Sequence, residues 1–249
     1  MKPVDCHCHL DFEQYKDDRE KVVERARDNL EFVINAGSNL KHNGKALELQ
    51  AKYEGFVYAN LGLHPTYTED FDQLEEIKKK IRDEDPIAIG EIGLDHHHVE
   101  DDAIRERQEE VFRGMLQLAE ELEKPIVVHT RDAEKKSVEI IEEYDIENVM
   151  LHCFNGKPDL AKRAAKNGWK IGVTTQVLYS ARVQNIVEKL SLESILLETD
   201  SPFLYRGERN EPANVKESVE KISEIKDLEE TEVHERTTSS AKKFFGLEG

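Results

Sequence analysis

Two histidines two residues apart, His7 and His9, lie in a short apolar segment near the start of the chain. On an extended strand, residues i and i+2 share a face, so both imidazoles point the same way. That is the spacing needed for two ligands of one cation, and imidazole and carboxylate are natural metal ligands. The same residue types recur downstream. His64 follows Gly62-Leu63, Glu91 lies in Gly90-Glu91-Ile92-Gly93-Leu94-Asp95, and His129 precedes Thr130-Arg131. His152 precedes Cys153-Phe154, and Asp200 lies in Glu198-Thr199-Asp200-Ser201-Pro202. Each ends a short apolar run. A lone histidine at a strand end is ordinarily a hydrogen-bonded structural residue. Five imidazoles and two carboxylates at six such ends are costly to crowd together without a partner, and a metal supplies one.

His7, His9, Glu91, His129, His152 and Asp200 make a set of candidate ligands. A single catalytic zinc needs about three protein ligands plus water. The larger set, with Glu91 midway along it, fits two ions bridged by that carboxylate. Two ions roughly 3.5–4 Å apart can clamp the attacking and leaving oxygens of a phosphoryl or acyl transfer. Asp200 is placed in sequence to orient the attacking water or take its proton. No lysine stands at the Glu91 strand end to serve as a carbamylated bridge. A carboxylate bridge suits Mg²⁺, the expected ion, or Mn²⁺, while the histidines also permit Zn²⁺.

The elements that must position these residues follow from the apolar pattern. Strands are expected over 4–9, 32–36, 57–63, 87–92, 126–129, 149–153, 169–174 and 195–198. Their near-continuous apolar character suits strands buried on both faces of a parallel sheet. Helices are expected over 19–29, 45–53, 72–82, 104–122, 135–144, 158–167, 183–190 and 215–225, with a last one over 232–245. In the clearest, Ile104, Val111, Phe112, Met115, Leu118, Ala119 and Leu122 form one apolar stripe. Strand ends recur roughly every 22–38 residues, enough for a helical crossover between parallel strands. The expected fold is α/β, a single (β/α)8 TIM-type barrel over residues 1–249 with an additional C-terminal helix. A doubly wound open sheet is the alternative, but the first strand ends in His-Cys-His rather than a glycine turn. In a barrel the C-terminal strand ends converge on one face, where active sites are built.

The whole set of motifs, from Asp5-Cys6-His7-Cys8-His9-Leu10 to Glu198-Thr199-Asp200-Ser201-Pro202 and Arg209-Asn210-Glu211-Pro212, resembles the TatD family of metal-dependent deoxyribonucleases. The resemblance spans essentially the full chain in order and spacing; His-x-His alone indicates only the wider amidohydrolase-like group. It implies that one metal is held by His7, His9, Glu91 and Asp200, and the second by Glu91, His129 and His152. It associates His64 with the substrate phosphate. It implies a Mg²⁺-dependent hydrolase cleaving DNA, with 3′ to 5′ exonuclease action on single strands or free 3′ ends. Glu91 and Asp200 then act in catalysis, with His64 and Arg131 steadying the phosphate. The alternative is a metal-dependent deacylase acting on aminoacyl-tRNA or another small ester or amide.

Other residues have plainer expected roles. Asp5 and Glu198, each two residues before a candidate ligand, can hold an imidazole in place. Asp95 is balanced between a loop role and the site. His96, His97 and His98 form a loop, while His42 and His234 are expected at the surface. Cys6 and Cys8 should face away from His7 and His9 as packing residues. Lys78 to Lys80 should be a solvated helix face, and Trp169 core. Arg131, Lys157, Arg182, Arg206 and Arg209 all follow strand ends, so they can form a basic rim that meets phosphates.

The 53 acidic and 35 basic residues give a net charge of −18, which taken alone argues against nucleic acid. Two divalent ions would offset this locally, and the acidity is concentrated in helical segments 106–123 and 217–235, expected to face outward. Three cysteines do not make a disulfide framework, and no apolar run is long enough for a signal peptide or membrane span. A cytoplasmic setting without membrane contact is expected. Nothing in the sequence sets the oligomeric state, and a monomer is the expectation.

Overall fold

In the computed structural model, which describes residues 2–248, short apolar runs and amphipathic stretches fold as alternating strands and helices. The strands are β1 (Asp5–Cys8), β2 (Val33–Ala36), β3 (Val57–Leu61), β4 (Ala88–Gly93), β5 (Ile126–His129), β6 (Val149–Leu151), β7 (Lys170–Val173) and β8 (Ile195–Leu197). The first helices are α1 (Arg19–Asn29), α2 (Leu40–Lys52), α3 (Leu74–Glu84), α4 (Asp102–Leu122) and α5 (Glu134–Ile141). They continue with α6 (Pro158–Lys166), α7 (Ala181–Lys189), α8 (Val215–Lys226) and α9 (Glu230–Phe245).

Neighbouring strands pair in parallel and in chain order. The last strand returns to the first. Cys8 and Ser201 form a parallel bridge, His9 N donates to Ser201 O at 2.8 Å, and Asp200 N donates to His7 O at 3.0 Å. The sheet is therefore a (β/α)8 barrel and not a doubly wound open sheet. α8 completes the eighth unit and α9 is the additional C-terminal helix.

Strand residues alternate between two apolar layers. Val57, Ile126, Val149, Ile171 and Ile195 face the surrounding helices. Phe32, Ile34, Ala88, Val127, Met150 and Leu196 line the bore instead. α9 lays Ala241, Phe244 and Phe245 against this inner layer, filling the end of the bore opposite the strand C-termini. Trp169 is buried in the outer layer, as its sequence setting implied.

Several local expectations are corrected. α2 starts at Leu40, not Lys45, because Asn39 caps it by accepting from His42 N at 2.9 Å. His42 is consequently no surface residue: its ring contacts buried Asp11 through Nδ1 at 2.5 Å. Cys6 and Cys8 do not share a face. The register of β1 shifts between Asp5 and Cys8, so Cys6 packs in the bore and Cys8 in the outer layer. In the lysine run Lys79 is open to solvent, but the Lys78 side chain is only 13% exposed.

Candidate metal centre

The C-terminal strand ends deliver His9, His64, Glu91, His129, His152 and Asp200 to one cavity of about 570 Å³, with His7 fully buried beside them. β4 brings Glu91 to its middle, and two glycines let the neighbouring backbone approach. A Cβ on Gly62 would stand 2.5 Å from the carbonyl carbon of Gly90. Gly93, at φ +138°, would place one 2.0 Å from His129 O. No L side chain fits at either position, so these glycines hold β3, β4 and β5 close around Glu91.

The two carboxylate oxygens of Glu91 face different imidazoles. Oε2 lies 3.3 Å from His7 Nε2 and 3.7 Å from His9 Nε2. Oε1 lies 2.9 Å from His129 Nδ1, 3.2 Å from His64 Nε2 and 3.6 Å from His152 Nε2. Asp200 Oδ1 closes the first set, 3.4 Å from His9 Nε2 and 3.8 Å from His7 Nε2, and is 3.7 Å from His152 Nε2. The described residues contain three-ligand groups His7/His9/Asp200, His7/Glu91/His152 and His64/Glu91/His129, each compact enough for one ion.

These donors fit a cation. His7 Nε2 and His9 Nε2 stand 3.2 Å apart, and without a shared proton or an ion both would present lone pairs to each other. Burial opposes charge on Glu91, yet the imidazoles of His64, His152 and His7 outweigh it and hold the carboxyl well below the usual range. Asp200 is lowered in the same way, burial being overcome by His152 and His9. Burial pushes His7, His64 and His152 down. It also acts on His9 and His129, but Asp200 raises the first to about 9 and Asp95 with Glu91 raises the second to about 9. The centre thus keeps Glu91 and Asp200 ionised and favours neutral His7, His64 and His152, as metal binding requires, whereas His9 and His129 must each give up a proton to an entering ion.

Neighbouring groups orient the rings. His152 Nδ1 meets Glu198 Oε2 at 2.7 Å, which leaves Nε2 turned inward, as expected of Glu198. Asp95 contacts His129 Nε2 at 2.9 Å and also accepts from His97 N and His98 N, so it serves the loop and the site together. Asp5 departs from expectation. Its carboxylate accepts from His7 N, Thr199 N and the Thr199 hydroxyl, fixing the β1–β8 seam and not an imidazole.

Of the expected basic rim, Arg131 and Arg182 line the cavity. Arg209 pairs with Asp18 at 2.6 Å, and Arg206 lies 3.8 Å from Glu217. His97 lines the cavity mouth with its Nδ1 2.9 Å from Asp132 Oδ2. Sequence reasoning missed Thr66, whose hydroxyl meets His64 Nδ1 at 2.7 Å, although it lies only two residues beyond that histidine. It also missed Phe12 and Phe203, which line the cavity from loops where no periodic pattern marks an aromatic residue.

A parallel barrel with imidazoles and carboxylates gathered at its strand C-termini is the architecture of a metal-dependent hydrolase. The chain belongs to the TatD-related DNase family, whose model matches residues 4–246. It is 39% identical to the uncharacterized metal-dependent hydrolase MJ1582 of Methanocaldococcus jannaschii over 98% of this chain and 97% of the relative. It is 33% identical to the human deoxyribonuclease TATDN3 over 97% of this chain and 94% of the relative. The crystal structure of the TatD homolog YjjV from Escherichia coli superimposes with a TM-score of 0.87 at 28% identity, covering 98% and 97% of the two chains. Among the described residues no helix is long and apolar enough to cross a membrane.

Proposed function

We propose that this chain hydrolyses DNA phosphodiester bonds, removing nucleotides from a free 3′ end of single strands, with two divalent ions bridged by Glu91. His7, His9, Glu91 and Asp200 would hold one ion; Glu91, His129 and His152 would hold the other. The observation that carries this reading is the division of the Glu91 carboxylate, with Oε2 toward His7 and His9 and Oε1 toward His129 and His152. Mg²⁺ or Mn²⁺ suits the oxygen-rich bridge, and Zn²⁺ is compatible with the imidazoles.

Bound there, the ions would neutralise charge developing on the phosphate oxygens and lower the pKa of water. Asp200, 15% exposed at its side chain, keeps an ionised carboxylate at the cavity and can orient that water or accept its proton. His64, fixed by Thr66, and exposed Arg131 can contact the phosphate. His64 Nε2 also lies as near to Glu91 as the second-ion donors do, so it stands at the boundary between ligand and phosphate contact. The −18 net charge is compatible with DNA in this reading because the ions and Arg131 and Arg182 act inside the cavity.

The test is incubation of metal-stripped protein with 3′-labelled single-stranded DNA, an RNA of the same sequence and an aminoacyl ester, with Mg²⁺, Mn²⁺ or Zn²⁺ added back. Release of mononucleotides from DNA only after metal addition is expected. Ester cleavage with intact DNA would favour the deacylase, and cleavage without metal would refute the centre.

A further inference from the structure

Among the described residues only Ile104, Tyr179 and Phe203 are large hydrophobic side chains open to solvent. Scattered exposed apolar residues need no explanation. Two of these three, however, converge on the loop that follows β8. Phe203, 42% exposed, lines the cavity three residues after Asp200. The Tyr179 hydroxyl donates to Leu204 O at 3.2 Å.

This loop is exposed yet tightly held. Phe203 N donates to Asp200 O at 2.9 Å, and buried Asn210 donates to Phe203 O at 2.7 Å. The Thr175 hydroxyl also donates to Leu204 O, at 2.7 Å. The Phe203 ring lies 6.0 Å from the half-buried Phe12 ring at 75°. Phe12 in turn stacks on His9 at 4.5 Å and is flanked by His42, which Asp11 holds. An aromatic wall therefore runs from the donor His9 to the cavity mouth, its outer ring open to solvent and its backbone fixed.

We propose that Phe203, buttressed by Phe12, is a stacking platform for the base of the nucleotide whose phosphate sits at the Glu91 centre. The ligand class is a nucleoside 5′-monophosphate or the terminal nucleotide of a strand, with the phosphate drawn by Arg131, Arg182 and the bound cations. An aromatic face accepts any base, so the platform favours nucleotides over base-free phosphates without selecting sequence. A ring carried on a backbone already held by hydrogen bonds leaves less to order on stacking. This deepens the functional reading above and rests on it for where the phosphate lies.

The test measures binding of dAMP and of 2-deoxyribose 5-phosphate to Mn²⁺-loaded wild type, Phe203→Ala and Phe203→Trp by calorimetry. Phe203 is open to solvent, so its truncation leaves the core intact. For Phe203→Ala the expected loss of dAMP affinity is about tenfold, with deoxyribose 5-phosphate unchanged and Phe203→Trp near wild type. Equal affinity of wild type for the two probes, equal weakening of both by Phe203→Ala, or binding of neither would overturn the platform. Phe203-dependent dAMP binding by protein that leaves DNA intact would uphold the platform and refute the DNA reading.

Discussion

At one end of the barrel bore, Phe244, Phe245 and Ala241 of α9 pack against Val4, Phe32 and Ile34. At the other, Glu91 and Asp200 stand among five imidazoles. The same strands supply both ends. The apolar end stabilises through area removed from water, about 25 cal/mol per Å², and needs no partner. The polar end buries groups that desolvation penalises, and a cation relieves that cost. One end holds the barrel together and the other spends part of that stability on a preorganised site.

Substitutions at the two ends should separate these roles. Glu91→Ala removes the group shared by both donor sets. Hydrolysis should fall about a thousandfold or more, roughly 4 kcal/mol in the barrier. Its Tm should also respond less to EDTA than that of the wild type, because the donor groups that contain Glu91 are lost while His7, His9 and Asp200 remain together; a wild-type rate in steady-state assays would break the contrast. Phe244→Ala opens the apolar end and should cost about 3–5 kcal/mol of stability in denaturant unfolding. Its activity per folded molecule should stay at the wild-type level, and a selective loss of activity would show that the ends are coupled.

Glu198→Gln should have an intermediate effect, because it weakens the hold on His152 Nδ1 without touching a donor atom. Metal affinity should drop about 10–100-fold in calorimetric titration. Unchanged affinity would mean that β6 alone fixes the ring. An effect of comparable size is expected in the pH dependence of metal binding. Without metal, burial lowers His9 and His129, but neighbouring carboxylates raise both to about 9. Both rings carry protons at pH 7–8, so an entering cation must displace them. Apparent affinity should therefore weaken as pH falls below about 9, with proton release visible as buffer-dependent binding heats. A flat profile between pH 7 and pH 9 would contradict this.

The polar end was the more legible in sequence. That His7, His9, Glu91, His129, His152 and Asp200 would gather at one end could be read from histidines and carboxylates at the ends of apolar runs, and the barrel followed from the regular spacing of those runs. The strand and helix interiors were legible for the same reason, whereas edges such as the start of α2 depended on a cap at Asn39 that lies outside the apolar pattern. What stayed hidden depended on non-periodic geometry. The shift in β1 that separates Cys8 from the bore face of Val4 and Cys6 leaves no mark in composition. The double role of Asp95 requires knowing that His129 and the His97–His98 loop meet across it. Asp5 and Asp200 lie 195 residues apart in the chain, and only barrel closure brings Asp5 onto Thr199 and away from an imidazole.

In the proposed reaction one carboxylate, Glu91, joins two cation sites that together carry the hydrolysis. Titrating metal-stripped protein with Mn²⁺, while counting bound ions by electron paramagnetic resonance and following DNA cleavage in the same samples, tests it directly. Two ions per chain with a spin-coupled signal, and activity that appears only as the second ion binds, are the expected result. Full cleavage at one ion per chain, or with none, would contradict it.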